Sequence, residues 1–214
     1  MLPKIFALAL PLLAAAQQAP APAQAAAAEW HSMFDGKTLG GWKETPFTGH
    51  GQVRIEDGAI ILGTGYMTGI NWTGPFPKVN YELRLEAARL AGSDFFAGIT
   101  FPVFDTFCSW INGGWGGQVV GLSSIDGNDA SENETSSRKE FARGRWYTLR
   151  LEVTETYIAA WIDQEQVVSV DLAGRQIDLR PGEIELSKPF GIASYSTTAA
   201  LRKIEYRLLK GSRQ

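Results

Sequence analysis

The chain has 214 residues, 44% of them hydrophobic and 20% charged, with a formal net charge of −3. That balance is wrong for a disordered chain, and the mild acidity lacks the basic footprint of a nucleic-acid binder. One Cys and two His leave no intrachain disulfide framework, no multi-Cys zinc site and little scope for a His-rich metal centre.

Residues 1–28 read as an address. Lys4 gives a positive start, the run from Ile5 to Ala16 is apolar, and Ala14-Ala15-Ala16 and Ala26-Ala27-Ala28 both fit a small-x-small cleavage site. The stretch Gln17 to Ala28 contains only Ala, Gln and Pro, which suits a late signal segment or a leader. The expectation is an exported protein, periplasmic or extracellular. No apolar run approaches the roughly 20 residues that span a bilayer. Residues 29–214 show no composition break and are expected to form one domain.

From Glu29 onward the signals are those of strands. Phe34, Leu39 and Trp42 are large apolar residues beside a tight turn, and are expected to pin the start of the chain against the body. Val53 to Leu62 carries Asp57-Gly58 between apolar runs, the pattern of a hairpin. Tyr81, Leu83 and Leu85 alternate with Glu82, Arg84 and Glu86, which predicts a strand with one dry face. Phe95 to Phe101 is apolar on both faces and is expected at the centre of a sheet. Cys108, among Phe107, Trp110 and Ile111, reads as a buried small hydrophobe. Tyr147 to Thr154 and Ile204 to Leu208 alternate again. Gly-rich turns separate these runs, and no amphipathic helix intervenes. The pattern predicts an all-β, antiparallel sandwich.

Three places carry candidate chemistry. In the Gly-rich run Cys108 to Gly117, glycines on both sides leave Trp115 conspicuous, an indole face suited to stacking on a sugar ring, and Asn112 offers hydrogen bonds to hydroxyls. The alternative is a wide hairpin whose Trp caps the core. The run Ser123 to Thr135 is long for a hairpin turn. Its Asp126, Asp129, Glu132 and Glu134 could supply a proton-transfer pair or oxygen ligands for a divalent cation such as Ca²⁺. The competing reading is a solvated acidic loop. Asn133 in that loop and His50 in Thr48-Gly49-His50-Gly51 complete the candidate set. No nucleophile elbow, phosphate loop, zinc-protease or dinucleotide motif is present in the sequence.

The segment from Trp30-His31-Ser32-Met33-Phe34-Asp35-Gly36 to Leu39-Gly40-Gly41-Trp42 resembles the opening signature of the 3-keto-disaccharide hydrolase domain family. Further stretches follow that family's order: Ile55-Glu56-Asp57-Gly58, Tyr81 to Glu86, Gly144-Arg145-Trp146-Tyr147, and Phe190-Gly191-Ile192 through Ile204. The resemblance implies a concanavalin A-like jelly roll of two antiparallel sheets, a saccharide ligand, and action on glycosides already oxidised at C3. The sequence departs from the family pattern at Phe95 to Ile99, where an Asn-Ser-Gly-type start is usual. It departs again at Gly117 to Leu122, where a Glu is frequent, and at Ala193 to Ser196, where a His is frequent. The expected activity is a hydrolase or lyase using Asp126, Glu132 and Glu134 for proton transfer, with Trp110, Asn112, Trp115, Asn133 and His50 around the sugar. The alternative expectation is a carbohydrate-binding module without catalysis.

Overall fold

The computed structural model describes residues 29–210; the signal-peptide reading of residues 1–28 lies outside the described part. The strands, in chain order, are β1 His31–Ser32, β2 Trp42–Glu44, β3 Val53–Glu56, β4 Ala59–Leu62, β5 Met67–Trp72, β6 Tyr81–Gly92, β7 Ala97–Val103 and β8 Thr106–Gly114. They continue as β9 Val119–Ser123, β10 Ser137–Arg138, β11 Trp146–Val153, β12 Tyr157–Ile162, β13 Glu165–Asp171, β14 Gly191–Tyr195 and β15 Thr197–Leu208. A single 3-10 turn, Glu183–Ser187, is the only helical element among the described residues. All pairings are antiparallel, and the strands form two sheets of a jelly-roll sandwich.

The eight-stranded sheet runs β13-β12-β11-β6-β15-β4-β3, with β1 on β15. Period-two alternation fixes its register. Leu83 and Leu85 of β6 face Leu151 and Leu149 of β11, all buried in the core. On the outer face the same register sets Glu82 opposite Glu152 and Arg84 opposite Arg150. Ion pairs resolve the like charges: Arg150 reaches Glu152 along its own strand at 2.6 Å and Glu82 diagonally at 3.2 Å, and Arg207, directly opposite Glu82 on β15, reaches it at 2.7 Å. Trp161, Trp146 and Trp30 lie under the guanidinium groups of Arg150, Arg202 and Arg84 at 3.5, 4.0 and 3.8 Å.

The seven-stranded sheet runs β10-β9-β8-β7-β14-β5-β2, and places the apolar β7 at its centre, as its composition requires. Ile99, Phe101, Trp110, Leu122 and Ile192 point into the sandwich. The alternate positions Gly98, Thr100, Ser109, Ile111, Gly121, Ser123 and Ala193 form the other face. The Asp57-Gly58 turn has φ of 49° and 74° at its two central residues, the geometry that lets β3 and β4 twist together. Trp42 and Phe34 are buried and Leu39 packs on the core, so the chain start is pinned as its residues predict; Trp42 Nε1 donates to Met33 O at 2.7 Å.

Candidate functional site

The outer face of the seven-stranded sheet is short of side chains, and the protein's own loops occupy both of its flanks. On the β5 side Phe47 lies on Gly69, where a Cβ would stand 2.8 Å from the ring. On the β9 side the 124–137 loop lies on Gly121, where a Cβ would meet Ala130 O at 2.9 Å. Only glycine permits these approaches. Between them remains a cavity of about 420 Å³.

Polar groups enter this cavity from several elements. Ser109 of β8 and Ser123 of β9 form part of its floor. Ser109 Oγ lies 2.9 Å from Thr100 Oγ1, and Ser123 Oγ donates to Asp129 Oδ1 at 2.9 Å. Asp129 Oδ2 in turn stands 3.4 Å from Arg180 Nη1, so a buried serine and a loop carboxylate orient the guanidinium. Glu183 lines the cavity with its carboxylate held by Thr48 N at 2.8 Å and Thr48 Oγ1 at 3.1 Å.

Asp94 comes from the β6–β7 turn. Phe95 N donates to its Oδ1 at 2.8 Å and Gly116 N to its Oδ2 at 3.0 Å. The second bond ties this carboxylate to the turn that presents Trp115, which is 43% exposed at the cavity wall. Arg89 fixes the same turn from below. It is buried between Phe96 and Phe141, and its Nη2 donates to Gly117 O at 2.8 Å and, more weakly, to Gly113 O at 3.4 Å. Burial lowers its affinity for a proton, and Asp94 works in the opposite direction.

The remaining wall is aromatic. Tyr66 and Tyr195 meet edge to face with centroids 5.0 Å apart, and Phe95 stacks on Tyr195 at 5.8 Å. A hydrogen bond with Tyr66, followed by desolvation, holds the Tyr195 phenol above its usual pKa. The Tyr195 phenol therefore keeps its proton at neutral pH and can act as a proton donor.

The sequence candidates divide around this cavity. Trp115 lines it, and Asp129 reaches it through Ser123 and Arg180. Trp110 is fully buried in the core, because it shares the parity of Cys108 on β8 and points away from the cavity. Asn112 has the same parity, is fully buried, and donates to Ala97 O at 3.0 Å. Asn133 is buried as a loop scaffold: its Nδ2 donates to Leu122, Asn128 and Asp129 carbonyls, and its Oδ1 accepts from Thr135.

Asp126 and Glu134 both pair with Arg175, and Gln176 N donates to Asp126 at 2.8 Å. The backbone bond first, then Arg175, holds the Asp126 carboxyl below its usual pKa. These two carboxylates do not line the cavity, and neither does exposed Glu132. His50 is exposed, with Nδ1 3.0 Å from Gly51 O. Among the described residues no group of three or more His, Cys, Asp or Glu is placed to hold a metal ion.

Asp94, Arg180, Glu183, Tyr66 and Tyr195 escape sequence reasoning. Asp94 follows the turn Ala91-Gly92-Ser93, and Arg180 opens the turn Arg180-Pro181-Gly182. Each reads locally as ordinary turn chemistry. Nothing along the chain signals that strands far apart in sequence bring them together.

Residues 29–207 match the family described as the 3-keto-alpha-glucoside-1,2-lyase-like domain. No curated protein matches the sequence. Among solved structures, the fold is similar to that of a Crh5 transglycosylase in complex with NAG, at 12% identity. That match covers 87% of this chain and 86% of that one, with a TM-score of 0.58. It is also similar to a β-glucanase of Bacillus licheniformis, at 10% identity, 87% and 100% coverage and a TM-score of 0.53. At these identities the likeness is one of fold.

Proposed function

Since the chain belongs to the 3-keto-alpha-glucoside-1,2-lyase-like domain family, we propose that it is an exported carbohydrate-active lyase or hydrolase, cleaving 3-keto-glycosides by elimination and hydration. The observation that carries this reading is the single cavity shared by Asp94, Arg180, the Tyr66–Tyr195 pair and the Trp115 face. Elimination from such a substrate needs a base, a stabiliser for an enolate oxygen and a proton for the leaving group. The cavity holds a group suited to each.

A C3 ketone acidifies the C2 proton. Asp94 takes that proton, and the C2–H electron pair becomes an enolate with its charge on the C3 oxygen. Arg180, fixed by Asp129, faces that oxygen. The enolate collapses, the C1–O bond breaks, and the departing oxygen receives a proton from the tyrosine pair. Addition of water across the new C1–C2 double bond yields the free 3-keto sugar. Trp115 supplies a flat apolar face for the sugar ring. Asp94 suits the role of base because two backbone N–H groups fix its orientation while leaving lone pairs free.

The experiment is incubation of the purified protein with 3-keto-glycosides, following enone absorbance and aglycone release for wild type and Asp94→Asn. Release by the wild type, reduced about 10²-fold or more in the variant, supports the reading. Release that Asp94→Asn leaves untouched overturns the assignment of the base.

A binding module is favoured by one specific observation: two of the acidic-loop carboxylates, Asp126 and Glu134, are occupied by Arg175 outside the cavity. That reading requires saturable saccharide binding at Trp115 with no bond cleaved in any glycoside tested.

A further inference from the structure

The cavity is chemically lopsided, and sheet order fixes the direction. Across the floor the strands run β9-β8-β7-β14-β5. Four spacings of about 4.8 Å separate the outer two, so the floor extends over about 19 Å. Ser123 and Ser109 belong to β9 and β8, and Arg180 lies with them through Asp129. Trp115 joins this side, with the Arg180 guanidinium 5.9 Å from its ring. Asp94 enters at the middle, three residues before β7 begins.

The other half is different. Tyr195 ends β14, Met67 begins β5 with Tyr66 just before it, and Ile184 closes the wall. The two rings meet edge to face with centroids 5.0 Å apart, and with Met67 and Ile184 they present chiefly apolar surface. Glu183, at the border, has both carboxylate oxygens on Thr48. A second sugar here would bring several hydroxyls against few partners, and buried polar groups without partners are costly. A flat ring would instead extend the existing series, in which Phe95 stacks on Tyr195 and Tyr195 meets Tyr66 edge to face. Tyr66 is 58% exposed, so much of its surface is free for such a contact. Phe47, seated on Gly69, ends the groove behind it.

We propose that the β14–β5 half of the cavity is a subsite for a planar aromatic aglycone, so that the preferred ligands are aryl glycosides. The proposal rests on the functional reading above for the orientation of the glycoside, with sugar over β8 and β9 and aglycone over β14 and β5. The scissile bond then lies over β7, beside Asp94, with the tyrosine pair on the leaving-group side.

Binding rather than turnover tests it, because aryl groups also leave more easily. Calorimetric titration compares phenyl, cyclohexyl and methyl glucosides. Cyclohexyl is the stricter control, since a merely apolar pocket holds it as well as phenyl. The expected result is phenyl bound about tenfold tighter than cyclohexyl, the fold-change of one good ring–ring contact. Tyr66→Leu, similar in bulk, erases that preference, and Tyr66→Phe retains it. Equal binding of phenyl and cyclohexyl overturns the proposal in the wild type alone, and so does a preference that survives Tyr66→Leu. Ring preference without cleavage of any 3-keto-glycoside removes the elimination reading and leaves the aryl subsite standing. Cleavage of a methyl 3-keto-glucoside without ring preference does the reverse.

Discussion

Single residues in this protein act through parity and partnership. Trp110 and Ile111 are neighbours on β8, yet Trp110 fills the core while Ile111 lines the cavity. Trp110→Ala removes a fully buried indole and is expected to cost about 3–5 kcal/mol, read as a shift in urea unfolding midpoint. Trp115→Ala, at an exposed position, is expected to leave that midpoint almost unchanged and to weaken saccharide binding in the same preparation. Cys108 shows burial acting alone: its thiol is pushed up to about 12, so the native protein is expected to resist iodoacetamide until denaturant is added. Of the acidic-loop carboxylates, Glu132 is exposed and Glu134 is held by Arg175. With chemistry carried by the cavity, Glu132→Gln and Glu134→Gln are each expected to retain turnover of a 3-keto-glycoside. Loss in either variant would return the acidic loop to the mechanism.

At the scale of elements, the site is a product of turns tied to the sheet. The β8–β9 turn carries Trp115, the β6–β7 turn carries Asp94, and a backbone bond from Gly116 links the two. Arg89, at the end of β6, grips the carbonyl of Gly117 within that turn. Arg89→Met removes this charge-assisted bond and is expected to cost about 2 kcal/mol. The larger expected effect is on saccharide affinity, because the Trp115 turn loses its anchor; calorimetric titration beside a melting curve separates the two. The acidic loop behaves in the opposite way. Arg175 ties it to the 175–178 segment, where Ser124 and Asp178 exchange backbone bonds, and its carboxylates have a structural use. Length and charge single out that loop in the sequence; in the fold Asp126 and Glu134 pair with Arg175, Asp129 turns toward Arg180, and Glu132 stays exposed.

The whole molecule responds to pH through its outer face. Glu86 is partly buried, which opposes ionisation, yet Lys203 and Arg202 hold its carboxyl below the ordinary 4.5. Asp126, through Gln176 N and Arg175, and Asp35, through the Thr38 and Lys37 N–H groups, lie below their ordinary 3.8. A depressed carboxylate binds fewer protons folded than unfolded. Its stabilisation is therefore complete above the unfolded value and is lost as pH falls through the folded one. Unfolding midpoints are expected to be level near pH 6 and to drop steadily below about pH 4.5. Glu86→Gln should flatten the upper part of that fall; an unchanged profile would show that the Arg202–Glu86–Lys203 cluster contributes nothing to it.

Local chemistry in the sequence was enough to determine the sandwich. Alternation at Tyr81–Glu86 and Tyr147–Thr154 became β6 and β11 in the register their leucines demand. The Asp57-Gly58 turn and the fully buried β7 took the places their residues require. Strand periodicity is a short-range property, written along the chain and enforced by burial of one face. The cavity is a long-range property. Tyr66, Asp94, Trp115, Arg180 and Tyr195 come from five separate segments. Whether Trp110 or Trp115 could meet a ligand depended on where each came to lie, Trp110 on the core face of β8 and Trp115 in the turn beyond it, and that was settled when β8 packed between β7 and β9. The carboxylates of the acidic loop were legible as a cluster, but Arg175, the partner of Asp126 and Glu134, lies about forty to fifty residues further along. Only the fold decided their surroundings, by bringing that guanidinium against Asp126 and Glu134 outside the cavity while Asp129 turns toward Arg180 at its wall.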